Sequence, residues 1–361
     1  MFDFQKIYVL PFKFNIPNYI DVFLTSNNYL KSRIKYIKRY LYIVLKHQKS
    51  FEIANILPSH KKIFWINLSA TSLGDSLMDL SSRVLLKGRR IDLFTDQKNA
   101  ALYANDSVFS KVFSHVEEFD ECDYDLVIVD SFSARSIFIK NKLAPLTDYV
   151  GMFGYFNGPE VNRVLFSFHQ MNNMLGYEKK EEEINKLAKC SMSISSKDQE
   201  VIQNIKLPTK YITIAIGGEW DYRSYKKWDK VVDKLFKDDN SLNIVLVGSA
   251  NAMDIASIIT NKYSDRNIYD CVSKFTFNQT SEIIKKSQIL ICCDGGLMHA
   301  ANSVNTPNIA LFARLTPQMQ LTEKITCFSI YDRNDVNNIE VSDVLQKYTA
   351  IVHFLNSHLQ A

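Results

Sequence analysis

The sequence predicts an α/β protein: two successive parallel sheets, each doubly wound with helices, a cleft between them and a basic helical extension in front. Three observations carry this. Short β-rich runs alternate with helical periods from residue 62 onward, the rhythm of βαβ units. The rhythm breaks over a charged and then Ser-rich stretch and restarts after Pro208. At 361 residues, the chain exceeds what a single hydrophobic core usually serves.

Residues 1–60 form the extension. They hold nine Lys or Arg against three Asp or Glu, whereas the whole chain carries a net charge of only +4. Within them, YLKSRIKYIKRYLYIVLKHQK (29–49) has no acidic residue and places Leu30, Ile34, Ile37, Leu41 and Val44 at helical spacing. Lys31, Lys35, Lys38, Arg39, Lys46 and Lys49 fall to the other side. Such a helix either packs its apolar stripe on the body and shows a basic face to solvent, or sits against an anionic membrane.

The first domain is expected over 61–190. Its strands read at 62–68, 90–95, 125–130 and 149–153. Residues 191–208 form a linker, and the second domain runs over 209–340. Its strands read at 211–216, 242–247, 289–293, 308–312 and 327–330. One helix shows Trp228, Val231, Val232, Leu235 and Phe236 on a single face, and a terminal helix occupies 341–361.

Composition narrows the function classes. An apolar fraction of 46% and a charged fraction of 23% are those of a folded globular chain. The six cysteines contain no CxxC, and the adjacent Cys292 and Cys293 would point to opposite faces of a strand. Buried thiols in a reducing compartment are expected, with no metal framework. Neither a signal-peptide pattern nor a run of about 18 apolar residues occurs, so a cytoplasmic location is expected.

Three strand-end segments can carry chemistry. CDGGLMHAANSVNTP (293–307) runs from an apolar strand into small residues. Glycines there expose backbone N–H groups at a helix start, where a diphosphate is favoured. Asp294 would cap the helix or accept from a sugar hydroxyl, and His299 lies about one turn in. The segment 215–228 repeats the theme, with Gly217 and Gly218 after a strand and Arg223, Lys226 and Lys227 before a helix. The third, NLSATSLGDSLM (67–78), puts Asp75 at the mouth of a helix, as a cap or as a base facing the cleft. AspTyrAsp at 123–125 has the form of a metal-binding DxD, but it precedes its strand and reads as a turn.

In order along the chain, SLGD (72–75), DLVIVD (125–130), the Gly-Gly…Arg/Lys…Trp segment (217–228) and DGGLMHAAN…TP…ALF (294–312) resemble the heptosyltransferase family of lipopolysaccharide-core glycosyltransferases, glycosyltransferase family 9. The resemblance covers about 62–335 and implies the GT-B fold, two Rossmann-like domains facing a central cleft. It implies inverting transfer with Asp75 as the base that deprotonates the acceptor. The donor would be held by Asp294, Gly295, Gly296, Leu297 and His299, with Gly217, Gly218 and Gly248, and a cation from Arg223 or Lys227. Ser72, Gly74 and Arg135 are expected on the acceptor side; Arg83, Lys140 and Lys142 are further candidates there. No metal is required if these cations and amides neutralise the diphosphate.

The implied partners are a nucleotide sugar, ADP-heptose first, a lipid-linked core oligosaccharide, and the inner face of the inner membrane as a peripheral site. Nucleic acid is not among them. Gly248 is followed by SerAlaAsnAlaMet where the family often has an acidic residue, which keeps a UDP- or GDP-hexose donor as an alternative. A non-catalytic nucleotide- or lipid-binding relative is the third reading.

Overall fold

The computed structural model describes residues 29–119, 123–158 and 160–359. The chain divides into two compact units, Met1–Ser193 and Ile194–Ala361.

In the first unit, α1 (Tyr29–Leu45) precedes β1 (Lys62–Asn67), α2 (Leu73–Asp79), β2 (Arg90–Thr95), α3 (Gln97–Tyr103), β3 (Phe109–Phe113), β4 (Leu126–Ser131), α4 (Ala134–Leu143), β5 (Tyr149–Gly154), α5 (Arg163–Met174) and α6 (Glu181–Leu187). The strands form one sheet in the order β3-β2-β1-β4-β5, with every pairing parallel. β1 carries KIFWIN and is buried from its second residue on, because a parallel sheet covered on both faces needs apolar side chains on both. Its register matches Ile63 to Ile91 on one side and to Leu126 on the other. The strand order reverses between β1 and β4, so their carboxyl ends open the crevice where such sheets bind ligands.

β3 was not legible in the sequence. It is an edge strand whose FSKVF buries only its two terminal phenylalanines, so neither alternation nor a continuous apolar run announces it.

Helix α1 forms, but it docks the other way round from the packed-stripe expectation. Ser32 and Ile43 are buried, Tyr36 packs on Tyr155 at 4.9 Å between ring centroids, and Arg39 donates to the Phe156 carbonyl at 2.8 Å. Leu30, Ile34, Ile37, Leu41, Val44 and Leu45 are exposed. Burial lowers the pKa of the inward-facing Arg39, with the Asp130 carboxylate opposing that shift. The sequence showed the stripe, but which face meets the body was decided by the carbonyls and the tyrosine that the first unit presents. Past α1, Ile53 donates to the Tyr149 carbonyl at 2.9 Å, tying the chain to β5.

The second unit contains α7 (Ser196–Gln203), β6 (Ile212–Ala215), α8 (Trp228–Asp238), β7 (Ile244–Val247), α9 (Met253–Lys262), β8 (Ile268–Asp270), α10 (Phe277–Lys286), β9 (Leu290–Cys293), α11 (Gly296–Val304), β10 (Asn308–Ala313), β11 (Cys327–Asp332) and α12 (Val341–Leu359). Its parallel sheet has the order β11-β10-β9-β6-β7-β8. Alternate strand residues enter opposite cores. Ile214, Leu246, Ile291 and Cys293 meet the helix face of Trp228, Val231, Val232 and Leu235; Val245, Leu290 and Cys292 meet Ala300 and Ala301 of α11. Cys292 and Cys293 therefore point apart, as their strand position predicts. Each large apolar side chain buried this way stabilises the unit by about 1.5–3 kcal/mol. The three-residue edge strand β8, none of whose residues is fully buried, was also missed in the sequence.

Candidate active site

In the first unit the site is built at the carboxyl ends of β1 and β4. Asp130, buried near the end of β4, accepts from the Leu68 backbone N–H at 2.6 Å and from that of Ser69 at 2.5 Å. This fixes the loop leaving β1. Ser72 then caps α2, accepting from the Asp75 N–H at 3.1 Å, while the Ser72 N–H donates back to Asp75 Oδ2 at 3.1 Å, a capping box. Asp75 is thus the third residue of α2 rather than its cap. Its Oδ2 also accepts from Thr71 Oγ1 at 2.7 Å and Ser72 Oγ at 2.9 Å. The carboxylate is half-buried, and these donors set its orientation. Gly74 lies buried in the same first turn.

One turn on, Asp79 is buried and receives a two-pronged Arg163 guanidinium, Nε at 2.7 Å and Nη2 at 2.6 Å. Burial raises the Asp79 pKa to about 6 against the pull of Arg163, and the charges of Asp75 and Asp130 add to the rise. Arg163 is held charged by Asp79, with a further contribution from Asp75. This pair was missed in the sequence. The signal was there in two carboxylates at positions 75 and 79, four apart and so on one helix face.

The other first-unit candidates separate. Arg135, at the start of α4, pairs with Asp96 and donates to the Leu68 carbonyl at 3.3 Å, so it lies at the same strand edge as the Asp75 loop. Arg83 does not: it is buried, paired with Asp106 through Nε at 3.0 Å, and braces the Ser191 carbonyl at 2.8 Å. Lys140 is also buried, donating to Gln48 Oε1 at 2.5 Å and lying over the Phe51 and Tyr149 rings. Burial pushes its pKa down to about 8. Both expectations of an acceptor contact are corrected, because each cation is consumed by internal partners. Lys142 is exposed on α4. Asp125 accepts from the Lys61 and Lys62 N–H groups, each at 2.8 Å, at the amino end of the sheet; Asp123 and Tyr124 are irregular and Asp125 is a bend that leads into β4.

In the second unit, β6 and β9 are neighbours at the point where the strand order reverses, with Thr213 beside Leu290 and Ile214 beside Ile291. That adjacency brings the 217–223 and 294–299 segments together. Arg223 Nη1 lies 3.4 Å from Asp294 Oδ2. Lys227 is turned away: its Nζ donates to the Ile339 carbonyl at 3.1 Å and to Glu340 at 3.3 Å. Of the two cations the sequence left open, Arg223 is the one at the loop.

Asp294 does not cap α11; Gly295 occupies that position and has no side chain with which to do so. A methyl group on Gly295 would meet nothing within 4 Å, and it is the backbone, at φ +159°, that calls for glycine there. His299 is buried one turn in.

Gly217 and Gly248 have a different reason. Gly217 has φ +89°, and an added Cβ would come within 2.8 Å of Ala252; one on Gly248 would come within 2.5 Å of the Ile216 carbonyl. Gly218 is likewise confined by Ser224 and the Arg223 backbone, and Asn251 Nδ2 donates to its carbonyl at 2.6 Å. These three glycines let the loops after β6 and β7 close on each other.

A further cation was missed. Arg314 follows β10 and stands 3.8 Å from the centroid of the Tyr222 ring, which Arg223 approaches at 5.4 Å. Only the strand order β10-β9-β6 brings residue 314 beside the 222–223 turn. The arrangement offers an anion the uncapped α11 amides and two guanidiniums. Among the described residues, no three His, Cys, Asp or Glu side chains gather as a metal site would require.

The profile of glycosyltransferase family 9 (heptosyltransferase) matches residues 155–349, more than half of the chain. The chain belongs to glycosyltransferase family 9. It is therefore a glycosyltransferase. No curated protein sequence matches it. Solved structures do. A family 9 glycosyl transferase from Veillonella parvula superposes with a TM-score of 0.66 at 12% identity, over 82% of this chain and 98% of that one. The ADP-heptose lps heptosyltransferase II of E. coli gives 0.64 at 17% identity, over 82% and 99%. The E. coli heptosyltransferase WaaC, solved with ADP, gives 0.62 at 14% identity, over 80% and 99%. These likenesses establish the fold: the two parallel sheets of this family 9 glycosyltransferase are those of the GT-B heptosyltransferase structures. The profile includes Arg223, Asp294 and His299; Asp75 and Arg135 lie before it.

Proposed function

We propose that this glycosyltransferase moves a heptose from ADP-heptose onto a hydroxyl of a lipid-linked lipopolysaccharide core oligosaccharide, with inversion at the anomeric carbon, at the cytoplasmic face of the inner membrane. The observation that carries the reading is the meeting of Arg223, Asp294 and the uncapped α11 N-terminus at the strand reversal of the second unit. That pocket takes the donor diphosphate. Asp75 takes the proton of the acceptor hydroxyl as its oxygen bonds to the anomeric carbon. The bond from that carbon to the diphosphate oxygen breaks, and its electron pair leaves with ADP. The charge that develops on the leaving group is met by the α11 amides and Arg223, fixed before the reaction begins. Ser72 and Thr71 hold the base in place, and Arg135 lies on the acceptor side.

A UDP- or GDP-hexose donor is the second reading, favoured by one observation. After Gly248, where the family often has a carboxylate, Ser249 Oγ donates to Asn251 Oδ1 at 2.8 Å and Asn251 ties the loop to Gly218. Thermal melting with ADP, UDP and GDP separates the readings: a rise with ADP alone supports the heptose donor, and a rise with UDP or GDP alone rejects it. Transfer is tested with Asp75→Asn, which should lower kcat by about 10²–10⁴-fold. Asparagine keeps a side-chain oxygen that accepts from the Ser72 N–H, and the melting temperature of Asp75→Asn beside the wild type checks that α2 is intact. Full turnover by Asp75→Asn would remove Asp75 as the base.

A further inference from the structure

The outward face of α1 has a composition and a border that select its partner. Leu30, Ile37, Leu41 and Leu45 are 61%, 51%, 51% and 74% exposed, and Ile34 is exposed with them. At helical spacing they form one continuous stripe. The helix grips the first unit by the opposite side, through Ser32, Tyr36, Arg39 and Ile43. Lys31, Lys35 and Lys38, all exposed, run along one border of the stripe, and Arg33 lies on the other. No Asp or Glu occurs between residues 29 and 49. Desolvation along its stem, and after it the neighbouring charges of Arg39 and Lys31, lower the Lys35 pKa.

Two more exposed apolar side chains lie close in sequence to the residues that anchor the chain after α1. Just beyond the helix, Gln48 bonds to Asn141 at 2.7 Å and to the Pro145 carbonyl at 3.3 Å, and the same stretch carries Phe138 at 51% and Leu146 at 79% exposure. No described helix is long and apolar enough to cross a membrane. A helix of 17 residues with an apolar stripe edged by lysines has the pattern of one that lies in the interface of an anionic bilayer.

We propose that α1 lies flat in the surface of an anionic phospholipid bilayer, with Leu30, Ile34, Ile37, Leu41 and Leu45 sunk among the acyl chains and its lysines on the lipid phosphates. This rests on the glycosyltransferase reading only for its purpose, which is to hold the first unit where a lipid-linked acceptor arrives; the binding itself is read without donor or acceptor. The alternatives for the stripe are a second copy of this chain and cover by residues 1–28, and both leave the full chain unable to bind lipid.

The test is flotation of the full chain with vesicles of phosphatidylcholine, with and without phosphatidylglycerol, in low and high salt. The expected result is flotation with the phosphatidylglycerol vesicles, weakened by salt. Replacing Lys31, Lys35 and Lys38 together by Gln should weaken it by roughly a hundredfold. The double variant Ile37→Ser, Leu41→Ser should weaken it by about tenfold or more. All these side chains are exposed, so both variants should melt where the wild type does. A wild-type chain that fails to float overturns the proposal, as does flotation that both variants retain. A dimer in lipid-free solution that the double variant dissolves also overturns it. Loss of transfer to a soluble acceptor with flotation intact would defeat the function reading and leave this one standing.

Discussion

At the residue scale, the chain uses like groups for different ends, and the partners of each tell them apart. Arg223 and Lys227 are four residues apart and both precede or open α8, yet Arg223 faces Asp294 while Lys227 is tied to Ile339 and Glu340. Charge-assisted hydrogen bonds of an arginine to a diphosphate contribute about 1.5–3 kcal/mol. Arg223→Ala should therefore weaken ADP binding by roughly 10- to 100-fold in calorimetry, and Lys227→Ala should leave it near the wild-type value. The reverse ranking would move the donor site away from Asp294. The glycines divide in the same way. Gly217 and Gly248 are required by neighbouring protein atoms, whereas Gly295 has nothing within 4 Å of an added Cβ and is required by its own backbone, at φ +159°.

At the element scale, α2 is a seven-residue helix that carries two carboxylates one turn apart, Asp75 half-buried and Asp79 buried. Asp75 is oriented by Thr71 and Ser72, and Asp79 is clasped by Arg163. The Asp79 pKa is raised from 3.8 to about 6, chiefly by burial. The folded state thus holds a proton there that the unfolded chain has released. The stability this supplies is complete below pH 3.8 and is lost as the pH rises to about 6. The melting temperature of the wild type relative to Asp79→Asn should accordingly fall between pH 4 and 6 and be flat above 7. A difference that grows across that interval would mean that the Arg163 pair, and not burial, governs Asp79.

At the scale of the whole molecule, each unit has its own doubly wound sheet, and the second has a core on each face of it. Every residue assigned to the donor diphosphate lies within 194–361. Expressed alone, this segment should unfold cooperatively and gain melting temperature with ADP by mass action, whereas residues 1–193 should not respond. A second unit that is folded but blind to ADP would place donor recognition partly outside it.

How much of this was legible follows from where the information lies. Central strands announced themselves, because burial on both faces demands an unbroken apolar run, as in LeuValIleValAsp (126–130) and IleAlaLeuPhe (309–312). The edge strands β3 and β8 did not, being half-covered and short. The donor loop was readable as a local pattern, since a strand end, two glycines and a helix start are consecutive in the chain. Arg314 and the Asp79–Arg163 pair were not, since their partners are 84 to 92 residues away and meet only through strand order or helix packing.

By itself, the sequence determined that there are two α/β sheets, that their strand ends carry Asp75 and the 294–299 loop, and that residue 29 begins a basic amphipathic helix. Those are matters of local periodicity, turn chemistry and composition. Only the tertiary structure decided that Arg223 and not Lys227 meets Asp294, that Arg83 and Lys140 are internal braces, and that α1 turns Leu30, Ile34, Ile37, Leu41 and Leu45 outward. Each of those outcomes is a competition between partners distant in the chain, and the winner is set by which groups the folded sheets bring within hydrogen-bonding and packing distance.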